Sequence, residues 1–236
     1  MTMNVLLITL DQFRGDCLSI AGHPVVKTPN LDRLCQQGVR LSRHYSQASP
    51  CSPGRASLYT GMYQMNHRVV ANGTPLDEGF DNIALAARRA GYKPTLFGYT
   101  DQSIDPRVTT GADDPRLQTY EGILPGFDCA LDLTRQMTPW RELLAEKGYN
   151  TSPGILELLA TENERPVEVS VSNFLANNLI DWISSQDSSW FAHASFLRPH
   201  PPYSAAGEYS TMYDPASVGE PIQRAEAVHP FHEVML

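Results

Sequence analysis

Several things are scarce in this sequence, and each shortage removes a class of protein. Long apolar runs are missing. The stretch from Val5 to Leu10 stops at Asp11, far short of the ~20 residues needed to cross a bilayer. No basic segment precedes it, so it does not read as a signal peptide either. Cysteine is sparse, four in 236 residues; that excludes a disulfide scaffold and makes a reduced, cytoplasmic protein the expectation. Basic residues are outnumbered, 18 against 26 acidic, for a net charge of −8. Without a basic excess, neither a nucleic-acid partner nor an anionic membrane is expected. Internal repeats, low-complexity tracts and long runs of one charge are absent as well.

What is present suits a globular enzyme-sized domain. Hydrophobic residues make up 42% of the chain and charged residues 19%, enough apolar matter for one α/β domain or two small ones. The opening Asn4-Val-Leu-Leu-Ile-Thr-Leu10 predicts a strand buried on both faces of a parallel sheet. Residues 28–38 predict a helix with Thr28 as N-cap, Pro29 in the first turn, Gly38 as its stop and Leu31, Leu34 and Cys35 on its apolar face. Val39 to Tyr45 alternates as a strand does. A second helix is expected from Pro53, capped by Ser52 and ended by Gly61, and a third over 82–90, closed by Gly91. Strands are predicted at 93–99 and 190–196, and amphipathic helices at 140–147 and 169–184. The stretch from Asp101 to Thr138 reads as an irregular surface loop. Residues 1–203 form the expected domain, with 204–236 an irregular tail or the start of a further part.

Alternating strands and helices argue for an open sandwich with a mostly parallel sheet, where ligands bind beyond the carboxyl ends of the strands. Three polar clusters fall at such ends: Asp11-Gln12, Tyr99-Thr100-Asp101 and Arg198-Pro199-His200. The most specific segment is Cys51-Ser-Pro-Gly-Arg55, running into Ala56-Ser-Leu-Tyr-Thr-Gly61. It sets a cysteine at a helix start and an arginine one turn in. Exposed amides and a guanidinium there favour an anion. The alternative is a buried structural cysteine beside a solvated arginine. The spacing is not that of a cysteine phosphatase, because Ser57 stands where the arginine would be needed.

This segment resembles the sulfatase signature of the alkaline phosphatase superfamily. Val5 to Asp16 and Thr28-Pro-Asn-Leu-Asp-Arg-Leu34 are similar to that family's first strand and helix. Met65-Asn-His-Arg-Val-Val-Ala-Asn72, Gly98-Tyr-Thr100, Asp105-Pro-Arg and Ser195-Phe-Leu-Arg-Pro-His-Pro-Pro-Tyr203 are similar to the phosphonate monoester hydrolase/arylsulfatase branch. The resemblance implies an alkaline phosphatase-like three-layer α/β sandwich and hydrolysis of sulfate or phosphonate/phosphate monoesters. It implies that a formylglycine-generating enzyme oxidises Cys51, whose hydrated aldehyde then attacks sulfur or phosphorus. One divalent cation is implied, calcium or manganese with magnesium as a further option, held by Asp11, Gln12 and residue 51. Arg55 would brace the hydrate and His200 protonate the leaving group. Asn72, Tyr99 and Thr100 would bind the substrate's oxygens.

Each assignment has a plainer counterpart: Asp11 as a strand-end cap, Asn72 as a turn residue before Gly73, Tyr99 as a half-buried aromatic. His193 reads as a core histidine, and Cys17, Cys35 and Cys129 as structural. His229, His232 and Glu233 fit no metal spacing. Members of the family are much longer than this chain and complete the metal site from their second half, so the sheet is expected to be truncated at its C-terminal side. A catalytically incomplete anion-binding or interaction module is therefore the alternative to an enzyme, and a phosphatase using unmodified Cys51 is a third reading. A small anionic ester is the expected ligand; the oligomeric state is open.

Overall fold

The computed structural model of the protein describes residues 3–220. Four strands, β1 (Val5–Leu10), β2 (Pro94–Gly98), β3 (Asp128–Asp132) and β4 (Phe191–Phe196), form one sheet in the order β1-β4-β2-β3. All three pairings are parallel. The helices are α1 (Pro29–Gln37), α2 (Cys51–Thr60), α3 (Gln64–His67), α4 (Ile83–Arg89), α5 (Thr138–Glu146), α6 (Ile155–Ala160) and α7 (Val171–Ser184).

The sheet divides the core in two. On one face Phe97, Ala192 and Ala194 pack with Trp140 and Leu144 of α5, Leu158 and Leu159 of α6, and Leu175 and Leu179 of α7. On the other, Leu96 and Phe191 pack with Ala56 and Tyr59 of α2 and Ala84 and Ala87 of α4. Strand residues of alternate parity thus serve opposite layers, which makes the expected three-layer sandwich. Among the described residues no helix is long and apolar enough to cross a membrane.

Several expectations are corrected. β1 is not buried on both faces: it is an edge strand of the described sheet, and Leu6, Ile8 and Leu10 are exposed. Residues 39–45 do not form a strand. They pair with no neighbour among the described residues, and Val39, Leu41 and Tyr45 are exposed, so β-propensity has nothing to act on. The stretch 101–138 is not wholly irregular, since it carries β3 at the other edge. The second helix starts at Cys51, not Pro53, with Pro50 at the N-cap. Ser52 caps nothing; its hydroxyl donates to Asp101 Oδ2 at 3.1 Å. Leu34 of α1 faces solvent. Past residue 203 the chain holds short turns at Gly207–Ser210 and Pro215–Ser217, tied back by the Gly207 N–H donating to Arg165 O at 2.9 Å. His229, His232 and Glu233 lie outside the described residues.

Two glycines set the geometry that brings the site together. Gly98 ends β2 at φ +111°, and a Cβ there would stand 2.3 Å from Ser195 O of β4, so only glycine lets these strand ends approach. Gly54, in the first turn of α2, sits where a Cβ would meet Ala48 O at 3.0 Å. The loop before Cys51 therefore lies flat against the helix.

Candidate active site

Parallel pairing puts the carboxyl ends of β1, β4 and β2 side by side, with Thr9 opposite Ser195 and Leu10 opposite Phe196. Asp11, Tyr99 and His200 follow those ends, and α2 delivers Cys51 to the same edge. The Cys51 thiol donates to Asp11 Oδ1 at 3.1 Å. Asp11 Oδ2 accepts from Tyr99 Oη at 2.7 Å and faces the Arg55 Nη2 at 3.4 Å. Arg55 is buried. Its Nη1 reaches Ser195 Oγ at 2.8 Å and Tyr59 Oη at 3.3 Å, and its guanidinium lies 4.9 Å above the Tyr99 ring.

The electrostatics follow from burial and this charge pattern. Burial, then the hydrogen bond to Asp11, pushes the Cys51 thiol up to about 12, so the sulfur stays protonated at neutral pH. Burial opposes the charge on Arg55, but Tyr59, Tyr99 and Asp11 together outweigh it and raise its pKa. Burial raises the Tyr99 phenol too, against the pull of Arg55. His193 is a core histidine: it is fully buried, and burial lowers it to about 3, so it is neutral.

The substrate-facing residues divide. Asn72 is exposed, and its Oδ1 accepts from the Ser52 N–H at 2.9 Å, which leaves its amide NH2 as the available donor. Tyr99 spends its hydroxyl proton on Asp11 and orients that carboxylate. Thr100 cannot serve as expected: it is fully buried, its Oγ1 donates to Gly122 O at 2.7 Å and accepts from the Leu124 N–H at 2.7 Å. Both its hydrogen-bonding roles are consumed in holding residues 122–124. His200 Nδ1 lies 2.7 Å from Pro201 O. A carbonyl only accepts, so Nδ1 carries the hydrogen and Nε2 is the nitrogen left for chemistry.

Asp11, Cys51 and His200 each bring one ligand atom into a group whose members lie within 4.8 Å of one another. Gln12 is exposed, at φ +56°, with the backbone in the left-handed region directly after β1. Such strain in a non-glycine residue marks a constrained position. Alone, one carboxylate, one sulfur and one imidazole are too few for a hard cation that takes about six ligands, mostly oxygens. They fit one corner of such a shell and leave the rest to other donors.

Several residues that build this site lie in segments the sequence singled out but were given no role there. Asp101, at φ +56°, is buried beside Ser52, and burial, opposed by Arg55, raises its carboxyl to about 7. Glu121 is raised by burial, with Arg135 and His200 pulling the other way. Tyr59 and Ser195 anchor Arg55 from below. Asp101 had a signal in its place at the end of β2, and Ser195 in its polarity within an apolar strand and its place at the start of the Ser195–Tyr203 segment.

Comparisons with known proteins identify the relatives of this chain. The family model described as Sulfatase matches residues 3–220. The chain is 37% identical over 241 residues to the multifunctional alkaline phosphatase superfamily protein PehA of Trinickia caryophylli, covering 94% of this chain and 46% of that protein. Its structure superposes on the phosphonate monoester hydrolase of Agrobacterium radiobacter with a TM-score of 0.85 and 47% identity, over 95% of this chain and 46% of that one. The corresponding enzyme of Silicibacter pomeroyi gives 0.86 and 41%, over 94% and 46%. The chain spans about half the length of the relatives it matches.

Proposed function

As the chain belongs to the sulfatase family, whose matched members here are hydrolases, we propose that it supplies the nucleophile, the anion-binding groups and part of the metal shell for hydrolysing sulfate or phosphonate/phosphate monoesters. The observation that carries this reading is the convergence of Asp11, Cys51, Arg55, Tyr99 and His200 at one sheet edge. Cys51 is the first residue of α2, where free amides and the helix dipole favour an anion. In this reading a formylglycine-generating enzyme converts Cys51, and the hydrate takes the place of a thiol too basic to ionise.

The surrounding residues have separate tasks. Arg55 holds Asp11 and adds positive charge beneath position 51. The amide of Asn72 donates to a nonbridging oxygen. His200, its Nδ1–H held by Pro201 O, acts as the imidazolium and gives its Nε2 proton to the departing alcohol or phenol. Thr100 keeps the strand end in place and does not touch substrate. A divalent cation, calcium, manganese or magnesium, has Asp11 as its anchor and supplies charge neutralisation when bound; Gln12 is the adjacent amide donor, and the shell needs ligands beyond Asp11, Gln12 and residue 51.

The incomplete shell favours one second reading, an anion-binding module without turnover. The two separate in one assay, with protein made in a host that carries the modifying enzyme. A 4-nitrophenyl phosphonate or sulfate monoester, supplied with manganese or calcium, should be hydrolysed slowly, and Cys51→Ala should abolish the reaction. Equal rates with and without Cys51 would overturn the hydrolase reading, whereas phosphate binding without turnover would leave the module.

A further inference from the structure

Behind His200 lies an ion pair, its carboxylate buried and its guanidinium partly so, that the chemistry above does not use. Glu162, 2% exposed, follows α6, and Arg198 lies in the turn after β4. The guanidinium has five N–H groups, and each has an acceptor. Nε donates to Glu162 Oε2 at 2.7 Å, and Nη2 also reaches Glu162 Oε2. Nη2 further donates to Leu159 O at 2.7 Å. Nη1 donates to His200 O at 3.0 Å and also to Pro202 O. Glu162 is fixed in turn, its Oε1 accepting from the Val171 N–H at the start of α7 at 2.9 Å.

An ion pair kept for stability alone would be a poor investment, because desolvating both charges offsets most of their attraction. This one does something a pair of apolar side chains could not do. Three of the five bonds go to backbone carbonyls. One is at the end of α6, and the other two flank Pro201, whose own carbonyl accepts from His200 Nδ1. The guanidinium therefore ties the 198–202 turn to the helical layer and fixes the carbonyl that selects the His200 tautomer.

We propose that Arg198, held by Glu162, is the positioning residue for His200: it sets the turn so that Nδ1–H meets Pro201 O and leaves Nε2 as the free nitrogen of the ring that groups with Cys51 and Asp11. This rests on the reading of His200 as the proton donor to the leaving group, but its structural half stands without it. Arg198→Lys keeps the charge opposite Glu162 and loses the planar fork. Glu162→Gln keeps the shape and loses the charge.

Two measurements on the 236-residue chain test the proposal. The first is side-chain ¹⁵N NMR of His200 at alkaline pH. The unsubstituted protein should show one tautomer with the hydrogen on Nδ1, Arg198→Lys should show both tautomers, and Glu162→Gln should shift the same way by less. Retention of the single tautomer in both folded variants would overturn the proposal. The second is the ratio of turnover for a 4-nitrophenyl ester, whose leaving group needs no proton, to that for an alkyl ester, whose leaving group does. Arg198→Lys should raise this ratio about tenfold or more; a merely structural lesion slows both esters alike and leaves the ratio unchanged, which would also count against it. If no form hydrolyses either ester, the hydrolase reading fails while the NMR result still decides the positioning role. Should Arg198→Lys not fold, Glu162→Gln carries both measurements.

Discussion

The state of Cys51 before any modification is open to a quantitative test. Its thiol, ordinarily near 9, is pushed up to about 12 by burial and by the hydrogen bond to Asp11. Alkylating agents react with the thiolate, and three pKa units lower the thiolate fraction at pH 8 about a thousandfold. The sulfur is only partly buried, and water reaching it screens some of that effect, so a deficit of about a hundredfold is the floor. The assay is iodoacetamide labelling of protein made in a host without the modifying enzyme, followed peptide by peptide. Cys17 and Cys35, free and partly exposed, serve as internal standards. Asp11→Asn removes the negative charge beside the thiol and weakens its hydrogen bond, and should speed labelling of Cys51 at least tenfold, with burial still in force. Labelling of Cys51 as fast as Cys17 at pH 8 would refute this reasoning. It would also revive the reading in which unmodified Cys51 is the nucleophile.

Other expectations follow from the same side chains. Arg55→Met should destabilise the protein by about 3–5 kcal/mol in chemical denaturation, because it strands Asp11 in a buried site; Arg55→Lys should recover part of the loss. Asp101, raised by burial to about 7 from 3.8, holds an extra proton in the folded state, so its contribution to stability is full below pH 4 and falls as pH rises toward 7. Asp101→Asn should therefore match the parent near pH 4 and exceed it at pH 8 by up to about 4 kcal/mol in urea titrations; equal stability at both pH values would contradict the shift. Calorimetric titration with calcium or manganese should give a dissociation constant no tighter than about 10⁻⁴ M, since Asp11 is the one carboxylate among the three clustered ligands. Tight stoichiometric binding would show that the chain's own residues suffice.

Much of the site was legible because strand ends announce themselves. The apolar runs stop at Asp11, at Tyr99 and near Arg198, and parallel pairing brings those stops to one edge. α4 was legible for the same local reason, with Asn82 accepting from the Ala84 and Leu85 N–H groups. What failed depended on distant partners. Asp128-Cys-Ala-Leu-Asp132 has no β-branched residue and lies half-exposed at the sheet edge, so nothing local marks it as a strand. Val39 to Tyr45 has the pattern of a strand without a neighbour among the described residues to complete it. Ser52 looked like a cap because it precedes a proline; a carboxylate 49 positions away claims its hydroxyl. Thr100 looked like a substrate donor because its position matched, while the 122–124 segment that consumes its hydroxyl was invisible from the motif. Residue type and spacing located the reacting groups, but the bonds that aim or occupy them needed three dimensions.

The most direct measurement is mass spectrometry of the peptide containing Cys51, from protein produced in a host that carries a formylglycine-generating enzyme. Conversion of the thiol to an aldehyde, abolished when Pro53 or Arg55 of the Cys51-Ser-Pro-Gly-Arg55 segment is replaced by alanine, is the predicted result. An intact Cys51 thiol in that host would contradict a formylglycine-based hydrolase.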